Sequence, residues 1–369
     1  MPHDTSSAID PRLPQPAESL VGVERLREGG RERDGLIGLD RNERLSPLPD
    51  AVVAEIRDAV DSALLTRYPS LDRLYDRLAV SFGVERERLL LTAGSDAAVK
   101  ALYQVYSRPR GQALMLDPSY AMYPIYARMF GMEPVQIGFG DDLSFDTDEL
   151  LAGVGPETRL VFIANPNQPT GTVLADAVIG ELLTRARAVG ALVVVDEAYY
   201  PFSAHTLLPW VAEHPNLVVT RTFSKAWGLA GVRIGLVAAA PEIVTNLFKV
   251  RSAYDVNAVA AACADVLLAH PEVAQDYAAE VAAGRELLVT RARALGLEPV
   301  PSLTNFQVLR LAGRRDPAEL VAALHARGYI VKGPFGAPCL HDCIRVTLGG
   351  PELMGAFADA LAAELPAAS

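Results

Sequence analysis

Lys225 is the residue of this sequence whose surroundings best suit amine chemistry. It follows two hydroxyl side chains, Thr222 and Ser224, at the end of an apolar run, and Arg233 lies eight residues further along. The chain has only four lysines and otherwise uses arginine for positive charge. Partial burial would disfavour the charged form of such a lysine and make its amine a nucleophile near neutral pH. If the segment stood alone, a plain loop between two strands would be the simpler interpretation.

Arginine and hydroxyl donors close to an amine indicate a phosphate-binding site. An aldehyde that carries a phosphate would use both, and pyridoxal phosphate is such a ligand if an acid is available for its pyridine nitrogen. Asp196 is a candidate for that acid, because it ends an apolar, β-branched run at residues 191–195 that is typical of a central parallel strand. Tyr199 could donate to the phenolic oxygen of the ring. The alternative is that Asp196 caps a helix and Tyr199 is a packing residue.

A third polar segment also follows an apolar run. Residues 160–164 lead into Asn-Pro-Asn-Gln-Pro-Thr-Gly at 165–171, where the prolines fix the backbone and Gly171 allows a positive φ. Open α/β sheets bind their ligands at the carboxyl ends of the strands, so these segments predict one shared site.

Three motifs in this order resemble the motif series of the fold-type I, pyridoxal-phosphate-dependent aminotransferases. They are Asn-Pro-Asn-Gln-Pro-Thr-Gly at 165–171, Asp-Glu-Ala-Tyr at 196–199 and Arg-Thr-Phe-Ser-Lys-Ala-Trp-Gly-Leu-Ala-Gly-Val-Arg-Ile-Gly at 221–235. More narrowly, the chain resembles the histidinol-phosphate aminotransferase branch, and the resemblance extends over residues 36–362. It implies an α/β fold, with a mainly parallel seven-stranded sheet between helices in a large domain and a smaller α+β domain.

The expected domains follow from this resemblance and from the alternation of strands and helices. Residues 1–35 would form an N-terminal arm, residues 36–65 would join the small domain, residues 66–255 would form the large cofactor-binding domain, and residues 256–369 the small C-terminal domain. The arm is rich in Pro, Arg, Glu and Gly. It is either a flexible tail or a segment that lies over a partner subunit.

The resemblance also implies which residues bind the cofactor: Gly94, Ser95, Asp96, Tyr120, Asn167, Gln168, Asp196, Tyr199, Thr222, Ser224, Lys225 and Arg233. Of these, Lys225, Asp196 and Tyr199 would be catalytic.

Several of these positions carry finer expectations. Gly94 and Ser95 begin a helix, whose free N–H groups suit a phosphate, whereas Asp96 is anionic and would contribute through its backbone or on the ring-nitrogen side. Tyr120 would stack on the cofactor ring, while Tyr123 and Tyr126 are interpreted as packing residues.

Gln168 stands where the family has a second asparagine that meets the phenolic oxygen of the cofactor. Either the longer glutamine adjusts, or Asn167 takes over that contact.

Tyr68 belongs to an Arg-Tyr-Pro segment at 67–69 that resembles the family's Tyr-Pro. The tyrosine there reaches across a dimer to the cofactor phosphate of the neighbouring subunit, which would make this protein a homodimer with shared sites. The alternative is a tyrosine that simply closes a helix before a proline.

Three residues are candidates for substrate binding. Arg345 lies in an otherwise apolar strand, where a guanidinium needs an anionic partner, and the resemblance implies a bidentate contact with the substrate's α-carboxylate. An internal salt bridge is the alternative. Lys332 stands where the family has an arginine that holds the distal phosphate of the substrate, and lysine binds phosphate only as a point charge. Asn42 lies in the entry motif Leu-Asp-Arg-Asn-Glu at 39–43.

Composition excludes several other classes of protein. A net charge of −11 disfavours binding to nucleic acid or to an anionic membrane, and no apolar run approaches membrane-spanning length. The chain's three cysteines make no disulfide framework, and Cys339, His341 and Cys343 lack the second ligand pair of a metal site. We therefore expect a soluble cytoplasmic protein with no metal.

The resemblance implies an aminotransferase that moves an amino group between an amino acid, or a related amine such as histidinol phosphate, and a 2-oxo acid such as 2-oxoglutarate. An aromatic amino acid is another possible donor. Freed Lys225 would act as general base and acid at the α-carbon. A decarboxylase that resembles threonine-phosphate decarboxylase is the closest alternative. A cofactor-binding regulator is disfavoured because residues 1–35 cannot supply a DNA-binding domain, and a silent partner protein because Lys225 is present.

Overall fold

The computed structural model describes residues 17–20, 23 and 33–366, so most of the predicted arm lies outside the described residues. Strands within this part are β1 (Ile37–Leu39), β2 (Leu89–Thr92), β3 (Gln112–Asp117), β4 (Glu133–Gly138), β5 (Thr158–Ala164), β6 (Leu192–Asp196), β7 (Leu217–Thr222), β8 (Gly235–Ala239), β9 (Glu298–Pro299), β10 (Phe306–Arg310), β11 (Tyr329–Val331) and β12 (Cys343–Thr347). The α-helices are α1 (Asp50–Ala59), α2 (Ser62–Thr66), α3 (Asp72–Phe82), α4 (Ser95–Tyr106), α5 (Met122–Met129), α6 (Thr147–Ala152), α7 (Asp176–Ala188), α8 (Pro241–Val250), α9 (Ala258–Leu268), α10 (Glu272–Ala294), α11 (Pro317–Ala326) and α12 (Pro351–Glu364).

The large sheet has seven strands in the order β2-β8-β7-β6-β5-β3-β4. Its strands are parallel except for β8, which runs antiparallel to both of its neighbours. Alternate residues of the central strands enter two hydrophobic clusters, with Val193 and Val195 in one and Val194 in the other. Both faces of the sheet are therefore covered, which explains the continuous apolar runs and confirms the predicted α/β architecture.

A smaller unit is built around β10, which pairs antiparallel with β9 and β12. The N-terminal strand β1 pairs in parallel with β11 of this unit. Side chains of α9 and of the start of α10 pack into the core of the large sheet, whereas those from Tyr277 onward pack into the core of the small unit. The domain boundary at residue 256 remains a proposal, and these contacts favour a boundary inside α10.

One helix predicted as continuous is interrupted. The pattern over residues 50–65 predicts one helix, but α1 ends at Ala59 and α2 begins at Ser62, because Asp61 caps the second helix by accepting a hydrogen bond from Leu64 N at 2.7 Å. No helix among the described residues has the length and the apolar composition needed to cross a membrane.

Candidate active site

Lys225 lies in the loop that follows β7, with its amine directed at the N-terminal segment. Its Nζ donates a hydrogen bond to the backbone oxygen of Arg41 at 3.0 Å. Burial, together with the nearby positive charge of Arg345, lowers the pKa of Lys225 to about 8. The amine can therefore exist in its neutral form close to physiological pH, as the sequence predicts.

Three consecutive residues of the N-terminal segment bring the predicted catalytic and substrate-binding groups together. Besides the contact of Arg41 with Lys225, the backbone oxygen of Asp40 accepts from Arg345 Nη2 at 2.7 Å, and Asn42 Nδ2 donates to the Tyr199 hydroxyl at 2.9 Å. Asn42 adopts a positive φ of 56°. This segment therefore connects β7, β12 and the end of β6 at one point.

Asn42 is fixed from the other side by Thr347 of β12, whose hydroxyl accepts from Asn42 N at 3.0 Å. Burial raises the pKa of Tyr199 to about 12, so its phenol remains a hydrogen-bond donor at neutral pH. The ring of Tyr199 packs edge-on against Phe306, with centroids 5.3 Å apart. These contacts hold both residues in defined orientations.

Asp196 ends β6 in the middle of the large sheet and is 6% exposed. Its Oδ2 accepts a hydrogen bond from the Tyr123 hydroxyl at 3.0 Å, whereas its Oδ1 has no partner within the described part of the chain. Burial raises the pKa of Asp196, and the hydroxyls of Thr220 and Tyr123 oppose that rise. A buried carboxylate oxygen without a partner is suited to a cationic or N–H group of a ligand.

Tyr123 and Tyr126 pack in the hydrophobic core, as the sequence predicts, and their hydroxyls have a further role that the sequence did not predict. The Tyr123 hydroxyl bonds Asp196, and the Tyr126 hydroxyl donates to Asp96 Oδ2 at 2.9 Å. The spacing of three residues between Tyr123 and Tyr126, within the predicted helix after Tyr120, was the available signal. Residues three apart lie on one helix face, so Tyr123 and Tyr126 leave α5 on the same side, where one hydroxyl meets Asp196 and the other Asp96.

A set of small and hydroxyl-bearing residues surrounds the Arg233 guanidinium. The Thr222 hydroxyl donates to Ser224 Oγ at 2.9 Å, and Arg233 Nη1 donates to the same oxygen at 3.2 Å. A Cβ at Gly94 would lie 2.5 Å from Arg233 Nη2, which shows how closely the start of α4 approaches this guanidinium. The structure therefore gathers the predicted phosphate-binding residues, and Ser95 begins the helix beside them.

Asp96 is the second residue of α4, and its carboxylate is engaged by two tyrosines. Oδ1 accepts from the Tyr120 hydroxyl at 3.0 Å, and Oδ2 accepts from Tyr126. Burial and the neighbouring Asp96 charge raise the pKa of Tyr120. Both oxygens thus face hydroxyl donors.

The side-chain amides of Asn167 and Gln168 differ in the number of hydrogen bonds that they make within the protein. Asn167 is fully buried; its Nδ2 donates to Pro118 O and Thr170 Oγ1, and its Oδ1 accepts from Ser119 Oγ at 2.6 Å. All of these contacts hold the turn itself. Gln168 is partly buried and makes no side-chain hydrogen bond to the described residues, so its amide is the one free to meet a ligand.

Arg345 and Lys332 lie directly opposite each other on antiparallel backbone, each donating its N–H to the other's carbonyl. Such pairs carry their side chains on the same face. Arg345 is 4% exposed, and its Nε has no partner within residues 33–366. It forms no ion pair with a described carboxylate, because Asp40 contacts it only through the backbone and pairs instead with Arg33 at 2.7 Å.

Tyr68 does not enter this chain's own site. It is 77% exposed, and its ring stacks on that of Tyr254 with centroids 4.2 Å apart. No group of three or more His, Cys, Asp or Glu side chains within the described residues could hold a metal ion.

Comparison with known proteins gives a consistent result. The sequence matches the family described as aminotransferase class I and II over residues 34–361. A histidinol-phosphate aminotransferase of Burkholderia lata is 35% identical over 344 residues, which are 91% of this chain and 94% of that protein. Another from Symbiobacterium thermophilum is 36% identical over 340 residues, covering 89% of this chain and 91% of that protein.

A solved structure extends this likeness to the fold. The crystal structure of histidinol-phosphate aminotransferase from Sinorhizobium meliloti in complex with pyridoxal-5'-phosphate has a TM-score of 0.82 and 26% identity, covering 98% of each chain.

Proposed function

Because this chain belongs to the aminotransferase class I and II family and is a pyridoxal-phosphate-dependent transaminase, we propose that its amino donor is histidinol phosphate and its acceptor 2-oxoglutarate. The observation that carries this substrate assignment is Arg345, a buried guanidinium without an internal ion pair, with Lys332 on the same face. The similar proteins named above act on this donor, which agrees with the proposal.

The residues present fit the cofactor. Thr222, Ser224, Arg233 and the start of α4 would hold its phosphate, because a guanidinium, hydroxyls and helix N–H groups are all donors to an anion. The free Oδ1 of Asp196 would take the pyridine nitrogen, and this carboxylate would keep a proton there. Tyr199 and Gln168 would serve the phenolic oxygen.

When bound, pyridoxal phosphate withdraws electrons from the substrate's α-carbon through its protonated ring. Lys225 would hold the cofactor through its aldehyde and, once released, move a proton at the α-carbon. A pKa of about 8 suits this role, because a base is most effective when its pKa lies near the working pH.

Two cations on one face suit a doubly charged phosphate. Histidinol phosphate has no α-carboxylate, so Arg345 would direct its fork of parallel hydrogen bonds at the phosphate, while the exposed Lys332 adds charge on the same face. The acceptor, 2-oxoglutarate, carries two carboxylates, so its total charge is similar and the same two cations can bind both substrates in turn.

A donor panel tests this proposal. The purified, cofactor-loaded protein is given 2-oxoglutarate with histidinol phosphate, phenylalanine, tyrosine or aspartate, and glutamate formation is measured. We expect the highest kcat/KM with histidinol phosphate, and a Lys332→Met variant should lose affinity for that donor more than for phenylalanine. Higher kcat/KM with an aromatic amino acid would contradict the donor assignment. The relatives do not favour the decarboxylase alternative. Release of carbon dioxide from an amino-acid donor would support it.

We also propose a homodimer in the cytoplasm. The exposed stack of Tyr68 on Tyr254 supports an interface, because large aromatic rings at a surface favour burial against a partner. The three buried, unpaired cysteines agree with a reducing compartment.

A further inference from the structure

Asp96 is an acidic residue beside the helix start that would bind a phosphate. A carboxylate next to a phosphate is unfavourable unless its charge is directed elsewhere. Here both oxygens accept from phenols, Oδ1 from Tyr120 at 3.0 Å and Oδ2 from Tyr126 at 2.9 Å. Hydrogen bonds to a charged acceptor are stronger than those between neutral groups.

Tyr120 is held at one further place, its contact with Tyr123. Its ring packs edge-on against Tyr123, with centroids 5.4 Å apart and planes at 82°. The ring of Tyr123 in turn stacks on Phe162 at 4.9 Å, and its hydroxyl is the one that bonds Asp196. Tyr120 therefore belongs to a fixed aromatic cluster whose far side carries the carboxylate for the pyridine nitrogen.

We propose that Asp96 is a positioning residue: its carboxylate holds the Tyr120 hydroxyl, and thereby sets the orientation in which the Tyr120 ring meets the cofactor. Tyr126 holds the second oxygen and so fixes the carboxylate. This inference rests on the proposed site, in which Tyr120 lies against the cofactor ring. This role explains why an anionic residue stands here. A direct contact between Asp96 and the cofactor phosphate would not explain it, because both groups are anionic.

A double-mutant cycle tests the proposal without any substrate, so its result is independent of the donor assignment. The variants are Asp96→Ala, Tyr120→Phe and the double variant. Two readouts are measured, namely the dissociation constant for pyridoxal phosphate and the induced circular dichroism of the bound cofactor. Each single variant should bind the cofactor about tenfold more weakly, the scale of one lost hydrogen bond to a charged group. The double variant should bind the cofactor no more weakly than Asp96→Ala alone, because that change already removes the bond to Tyr120 as well as the bond to Tyr126.

Asp148→Ala is the matched control, since Asp148 is also the second residue of its helix, α6, and is exposed. It should leave both readouts unchanged, while thermal unfolding of the apo-proteins reports any loss of helix stability. Effects of Asp96→Ala and Tyr120→Phe that multiply in the double variant would overturn the proposal. An unchanged cofactor spectrum and affinity in Asp96→Ala would overturn it as well.

Discussion

At the scale of single residues, the feature with the clearest chemical consequence is the lowered pKa of Lys225. Burial removes water from the ammonium group, and Arg345 adds like charge nearby, so the neutral amine is favoured. An exposed lysine would remain charged until about pH 10.4. A buried and an exposed lysine can therefore be distinguished by the pH at which the amine loses its proton.

The rate at which Lys225 captures its cofactor should therefore depend on pH in a characteristic manner. In apo-protein, the rate of pyridoxal phosphate capture, followed by absorbance, should rise about tenfold per pH unit below the pKa, since only the neutral amine reacts. It should level off near pH 8, where the amine becomes mostly neutral. A continued rise to pH 10 would mean that the amine is not desolvated. Lys225→Ala should fold normally and lose both capture and turnover.

Tyr123 is the second residue with a testable role, because its hydroxyl stabilises the anionic form of Asp196 at 3.0 Å. Tyr123→Phe removes only that hydroxyl, so burial should raise the pKa of Asp196 further. Asp196 is deprotonated above its pKa, and the loss of cofactor affinity on acidification should therefore begin at a higher pH in the variant. At neutral pH we expect cofactor binding about tenfold weaker.

The measurement is the dissociation constant for pyridoxal phosphate between pH 5 and pH 8. Tyr106→Phe is the control, because it removes the same kind of hydroxyl from a tyrosine at the C-terminal end of α4, away from the helix start that lies at the site. If Tyr123→Phe and the control share the wild-type profile, the Tyr123 hydroxyl does not tune Asp196.

At the scale of elements, the site depends on how closely β8 approaches the start of α4. A Cβ at Gly235 would lie 2.7 Å from Ser95 N and from Arg221 O. Both neighbours are backbone atoms, which cannot rotate away. Glycine at this position therefore allows the helix start, the Thr222 end of β7 and β8 to meet.

Gly235→Ala should displace α4 from the sheet and weaken phosphate binding. We expect a loss of about 1–3 kcal/mol in unfolding free energy, the usual range for overpacking, with weaker pyridoxal phosphate binding. Gly231→Ala is the matched control, because a Cβ there meets nothing within 4 Å. Chemical denaturation of both apo-proteins measures their unfolding free energies. Equal values for the two variants would contradict the close approach of β8 to the start of α4.

At the scale of the whole molecule, Tyr68 and Tyr254 form a stacked pair on the surface of this chain. Tyr254 has a positive φ of 56° and is 54% exposed. The flanking Arg251 and Asp255 form an ion pair at 2.6 Å, which fixes the loop that presents it. Asp255 thus has a structural role.

If Tyr68 serves the partner's site, two inactive variants should complement each other. Lys225→Ala and Tyr68→Ala homodimers each lack a residue at every site. A mixed dimer, however, contains one site with both residues intact, so random exchange should restore about one quarter of wild-type sites. Transaminase activity before and after mixing, with subunit exchange checked by a size tag, is the measurement. Activity no greater than the average of the two parents would mean that Tyr68 does not serve the partner's site.

Much of the fold follows from local patterns in the chain. Continuous β-branched runs such as residues 191–195 predict strands buried on both faces, and the sheet contains them in that way. The break between α1 and α2 at Asp61 is not predicted by the sequence, because the apolar periodicity continues across the capping residue. Periodicity reports which face is buried, but it does not report a break between two helices that bury the same face.

The sequence by itself determined the chemistry, because a lysine, an aspartate, hydroxyls and an arginine at strand ends are recognisable from residue type and order. Tertiary structure alone decided how these groups are held. The Arg41 oxygen that meets Lys225 and the Asp40 oxygen that meets Arg345 are backbone groups, and every residue carries one. The phenol of Tyr123 reaches Asp196 from 73 residues away. Such contacts leave no local pattern, since they arise only when distant segments pack together.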